Sequence, residues 1–185
     1  MKGINNILEE ERKAIVKLSQ TIKNIEILNQ DENMLTKINE VSQTITTMGN
    51  YLKYYYKHQL SLDDPCLDHC VRYSTSSTEE IDGETPFRSL CQHDHSSERC
   101  RHCNMLPNII KEMEFLIKHV KKQATNVQYQ EMLYEVAISK RQIEAYMHHL
   151  KRNHVQAADH DALFQAMDKG IVVLTIDWAM KLLGR

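Results

Sequence analysis

Three thiols and three imidazoles fall in one short run, Cys91-Gln-His93-Asp-His95-Ser-Ser-Glu-Arg-Cys100-Arg-His102-Cys103. A second group, Cys66-x-x-His69-Cys70, lies just upstream, and together the two hold all five cysteines of the chain. Thiolate sulfur and imidazole nitrogen are the donors a tetrahedral zinc ion takes. Cys-x-x-Cys at a predicted helix start supplies two of them from one tight turn. The first candidate ligand set is Cys91, His93, Cys100 and Cys103. Cys66, His69, Cys70 and His95 suffice for a second, interleaved site; alternatively His95 replaces His93, or Cys70 completes a single site. His102, between two candidate ligands, is expected to point outward. Four protein donors close the coordination shell, so the expected zinc, one ion or two, is structural rather than catalytic. Cysteine as a small buried apolar residue is the competing explanation, and it suits so polar a segment poorly.

The elements that must position these residues read as helices. The chain has 185 residues, 42% of them hydrophobic, enough for a packed core, and only five Gly and three Pro. Ile15, Leu18, Ile22 and Ile25 recur at three-four spacing, as do Ile38, Val41, Ile45, Met48, Leu52 and Tyr55. Asn29-Gln-Asp-Glu-Asn33 separates them with turn and capping residues, which predicts an antiparallel helical hairpin over residues 1–60. Its stripes suit a core; a dimerising coiled coil is the alternative, although the runs are shorter than the several heptads it requires. Tyr54, Tyr55 and Tyr56 close the second helix, as aromatics packed at a junction or as a base-stacking platform.

Residues 61–105 form the Cys/His segment, with Pro65, Gly83 and Pro86 as breakers. Metal ligands at both ends would give so long a loop a reason to be ordered. A second hairpin is expected over 106–156. Pro107 sits in a first turn, Ile109, Ile110, Met113, Leu116, Ile117 and Val120 line one helix, and Tyr129 to Leu150 line a longer one. Over 157–185, Asp159 is expected to cap a short helix stopped by Gly170. The run Ile171-Val-Val-Leu-Thr-Ile176 then reads as a buried strand, followed by Asp177. A lone strand leaves both edges unpaired, so the sheet it belongs to is expected to lie beyond this chain. The fold class is therefore mainly α: helical hairpins around a small zinc segment, with one C-terminal strand.

The net formal charge of −2 hides an asymmetry. Residues 61–100 carry nine acidic side chains against three Arg, whereas residues 108–155 carry eight Lys/Arg against five Glu. The cations Lys140, Arg141, Lys151 and Arg152 suit the end of a long helix, with DNA-backbone contact as the functional alternative. No signal-peptide pattern or membrane-length apolar run is present, so an intracellular location, in the nucleus, and thiols that bind metal are expected.

Several motifs occur in a fixed order: Cys66-Leu-Asp-His69-Cys70, Cys91-Gln-His93-Asp-His95, Cys100-Arg-His-Cys103, His149-Leu-Lys-Arg152 and Val173-Leu-Thr-Ile-Asp177-Trp-Ala-Met-Lys181. The set resembles a group of large, mostly uncharacterised invertebrate proteins that look like products of transposable elements, and the resemblance covers about residues 50–183. It implies a transposase-like catalytic domain of RNase H-like fold, in which Asp177 matches the first carboxylate of an acidic triad. Two-metal chemistry needs carboxylates converging from separated strands, and this chain does not supply the other two, so no nuclease activity is expected of it.

Two functions follow as expectations. One is the zinc-binding N-terminal portion of a transposase-like protein, with a DNA-binding or assembly role. The other is a zinc-plus-helical-hairpin scaffold that binds protein partners, or itself, through the N-terminal helices. An enzyme built on His148, His149 and Glu144 is disfavoured, because adjacent helical residues point about 100° apart.

Overall fold

The computed structural model describes residues 2–62, 64–72 and 99–166. Four helices carry the fold: α1 (Lys2–Leu28), α2 (Glu32–Tyr51), α3 (Met105–His119) and α4 (Asn126–Ala166). The predicted strand over 171–176 and Asp177 lie outside the described residues. Among the described residues the extended pairing is a single parallel bridge between Ser61 and Cys70.

α2 and α4 start where their sequences satisfy free backbone donors. Asp31 caps α2, its carboxylate accepting from the Asn33 amide at 2.9 Å, while Asn29 and Asp31 bond to one another across the loop. Thr125 and Gln128 form a reciprocal box at the start of α4. The Thr125 hydroxyl accepts from the Gln128 amide at 3.2 Å, and the Gln128 side chain accepts from the Thr125 amide at 2.9 Å. Pro107 stands in the first turn of α3, where its missing N–H costs no helical bond.

Successive helices run antiparallel. Lys37 near the start of α2 pairs with Glu112 of α3 at 2.6 Å, and Lys17 of α1 pairs with Glu135 of α4 at 2.7 Å. These half-buried pairs record which helices are neighbours. Each helix packs mainly against two others, α1 against α2 and α4, and α3 against the same two, with a slighter contact of α1 with α3. One core joins both predicted hairpins: Leu18, Ile22 and Ile25 of α1, Ile45 and Met48 of α2, Met113 and Ile117 of α3, Val136 and Ile143 of α4. The stripes are thus core, in a bundle that both hairpins complete.

Two expectations need correction. The end of α2 widens into a π-helical turn, Leu52–Tyr56, before a last turn at Lys57–Gln59. The wider turn shifts the helical register, so Tyr56 is buried and Tyr55, expected on the seam, is 61% exposed. Asp159 does not start a new helix, because α4 runs unbroken to Ala166. The segment Lys151 to Ala166 contains neither Gly nor Pro, and Gln156-Ala-Ala158 propagates a helix better than Asp159 interrupts it. At 41 residues α4 is about 60 Å long, and Val155 is the last of its described side chains to pack against the core.

Candidate metal centre

The two ends of the bundle differ. At one, α1 joins α2 and α3 joins α4 through short loops. At the other, α2 delivers Tyr51 and the π turn, the chain enters the 60–72 loop, and it returns at Arg99 to begin α3. This second end carries Cys66, Cys70, Cys100 and Cys103.

Backbone bonds shape the 60–72 loop. The Cys66 carbonyl accepts from the amides of His69 and Cys70, each at 3.0 Å, and the Asp64 carboxylate accepts from the Cys66 amide at 2.8 Å. The Val71 amide bonds the Ser61 carbonyl at 2.9 Å, closing the base of the loop. Asp68 then fastens the loop to the returning chain. Its Oδ2 accepts from the Cys100 amide at 2.7 Å, and its Oδ1 lies 3.3 Å from the exposed Arg99 guanidinium. The Asn104 amide bonds the Cys100 carbonyl, folding Cys100 to Cys103 into the turn that opens α3.

This arrangement brings the ligand atoms of His69, Cys100 and Cys103 within 4.8 Å of one another, with Cys103 Sγ and His69 Nε2 3.5 Å apart. Spacing alone assigns His69 to a different set from Cys100 and Cys103; the fold crosses that division. A second group, Asp64, Cys66 and His69, shares His69 with the first. Cys70 is buried, with its thiol 3.5 Å from the Leu62 carbonyl. Cys91, His93 and His95 lie outside the described residues, as does Asp177. His102 is exposed, as expected, and its ring stacks on Tyr51 at 4.8 Å.

Burial sets the protonation of the donors. It pushes the Cys103 thiol up to about 12 and raises Cys66, and it lowers His69, leaving a neutral imidazole with a free lone pair. A metal must therefore displace thiol protons, and it then cancels the charge it creates. Lys151 of α4 faces the same cluster. Burial lowers its ammonium, while the charges of Cys103 and Asp68 act to hold it protonated. Tyr56, Asp68, Cys103, His148 and Lys151 line a cleft of about 170 Å³ on that side. His149 turns elsewhere, its Nε2 3.0 Å from Asn153 Nδ2, so the two adjacent histidines do not converge.

Sequence reading passes over three residues here. Tyr51 and Gln59 flank the π turn, which no local motif announces. Asp68 reads as one acid among many until its contact with the Cys100 amide is seen.

Fold and site together define a mainly helical, four-helix bundle with a Cys/His cluster at one end. No protein-family model, curated protein or solved structure matches the chain. No helix among the described residues is long and apolar enough to cross a membrane.

Proposed function

We propose that this chain is a helical interaction scaffold whose open end is closed by a structural zinc ion held by His69, Cys100 and Cys103. The observation that carries the reading is the convergence of three donor atoms, within 4.8 Å, from two segments separated in sequence. Two thiolates and an imidazole favour zinc over the harder divalent ions, which prefer oxygen. The role is structural, because the donors tie the 60–72 loop to the start of α3 around the buried imidazole of His69. A second ion would draw on Cys66 and on Cys91, His93 or His95. The test is native mass spectrometry of protein purified without added metal. One zinc per chain, lost in His69→Ala and Cys103→Ser but kept in Cys70→Ser, is the expected result. Metal-free protein that is folded and reduced would overturn the reading.

A transposase-derived protein with a DNA-binding role is the second reading, favoured by the ordered motifs around the cluster. The cations of α4 give it little support, since Lys140 pairs with Glu144 at 3.8 Å and Lys151 faces the cysteines. Phosphate contacts release counterions, so DNA affinity that falls steeply with salt would favour this reading, and no binding at low salt would remove it.

A further inference from the structure

The Tyr51 hydroxyl lies 3.1 Å from His69 Nε2, 3.4 Å from Cys103 Sγ and 3.7 Å from Cys100 Sγ. It donates to Gln59 Oε1 at 2.6 Å. A phenol has one hydrogen and two lone pairs. With that hydrogen committed to Gln59, its lone pairs are what it presents to the other three atoms. Once a metal has displaced the thiol protons and the imidazole carries its proton on Nδ1, all four groups aim lone pairs at a common point. Such an arrangement is repulsive unless a cation sits among them.

The distances fit a cation at that point. Zinc–sulfur bonds of about 2.3 Å and zinc–nitrogen or zinc–oxygen bonds of about 2.0–2.1 Å, at tetrahedral angles, separate donors by about 3.3 Å for N···O and about 3.5 Å for S···N or S···O. Observed are 3.1 Å for O···N, 3.5 Å for S···N, and 3.4 and 3.7 Å for S···O. The remaining two edges of the tetrahedron, from Cys100 to Cys103 and to His69, are within 4.8 Å.

We infer that Tyr51 is the fourth donor of the metal centre, coordinating as a neutral phenol through an oxygen lone pair while its proton stays on the bond to Gln59. The inference rests on the zinc reading above and names its missing ligand. Binding releases two protons, one each from Cys100 and Cys103, and the two thiolates neutralise the zinc charge. The phenol is held for this role. Tyr51 is 4% exposed, one face stacks on His102, and its ring packs edge-on against Tyr56 at 5.9 Å. Residues five apart on a regular α-helix point about 140° apart. The π turn brings Tyr51 and Tyr56 to one side, and with them the phenol to the cluster.

X-ray absorption at the zinc edge of the full chain counts the sulfur donors, with two sulfurs and two lighter atoms expected. The cobalt-substituted protein then shows whether a position is open. Azide should leave the visible spectrum of the wild type and of a His93→Ala, His95→Ala double variant unchanged, and should shift that of Tyr51→Phe, whose fourth position falls to water. Three or more sulfurs, an azide response in the wild type or the double variant, or none in Tyr51→Phe would overturn the assignment. The sulfur count needs no variant, so it decides even if Tyr51→Phe misfolds. Absence of bound metal from the wild type would instead remove the zinc centre itself.

Discussion

Deleting the Tyr56 hydroxyl should stabilise this protein. Tyr56 is 0% exposed, and its hydroxyl has no hydrogen-bond partner among the described residues. Burial also raises its phenol well above the usual range, so the group is a neutral, desolvated O–H. A buried polar group left unpaired costs about 1–3 kcal/mol, whereas a void smaller than a methyl group costs under about 1 kcal/mol. Tyr56→Phe keeps the ring and its packing, and so gains about 1 kcal/mol net. In a chain of this size that raises the thermal midpoint by about 2–4 °C. Calorimetry or thermal circular dichroism should show the rise both with zinc and in chelator, since the hydroxyl bonds to none of the described groups. A fall of about 1 kcal/mol or more would refute the reasoning, because it would mean that the hydroxyl has a partner in solution.

Three further outcomes are expected. Ile143→Ala removes a fully buried side chain from the joint core and should cost about 2–5 kcal/mol in urea unfolding, while Val16→Ala, 66% exposed, should change stability by less than about 0.5 kcal/mol. Equal effects would place the core elsewhere. Burial raises the Glu11 carboxyl against the opposing charges of Arg12 and Lys53, so the folded state holds that proton more tightly than the unfolded chain does. Its contribution is favourable at acid pH and is lost as pH rises through the folded value. Glu11→Gln should therefore be the more stable protein at pH 7, with the difference closing as pH falls towards 4. A difference that instead grows on acidification would show the sign to be wrong. Chelation should remove hydrogen-exchange protection from the His69–Ser61–Val71 backbone bonds and from the Cys100–Asn104 turn, leaving amides beside Ile45 and Ile143 protected. Unchanged protection at the loop would count against a metal that orders it.

The helices were legible because their signals are local. Three-four spacing marks Leu18, Ile22, Ile45 and Ile143 as core, Asp31 stands one residue before α2, and Pro107 falls where a first turn accepts it. The Thr125–Gln128 box that opens α4 went unread, although its pattern is local. What else failed to read is non-local or depends on register. The π turn adds a residue to one helical turn and so exchanges Tyr55 for Tyr56 in the core. Asp159 resembles a cap, yet capping residues also stand inside helices when their neighbours propagate well. Pairing His69 with Cys100 and Cys103 depends on Asp68 reaching the Cys100 amide across the chain, which no spacing rule contains. Tyr51 escapes any search for ligands limited to cysteine, histidine and carboxylates.

A metal centre belongs at this end of the bundle for a topological reason. The opposite end is closed by short loops, in which local hydrogen bonds fix the geometry at little entropic cost. Here thirty residues separate His69 from Cys100. Bringing the ends of such an excursion together costs about 3 kcal/mol of chain entropy. Among the described residues, Asp68 helps to meet it by accepting from the Cys100 amide, and its pair with Arg99 is exposed enough to add little. Binding energies for structural zinc are about 10 kcal/mol or more, several times that cost. The donors are also spread to use it well. Tyr51 belongs to α2, His69 to the loop, and Cys100 and Cys103 to the start of α3. One ion would therefore fasten the second helix to the third, the single junction of the bundle that no short loop closes.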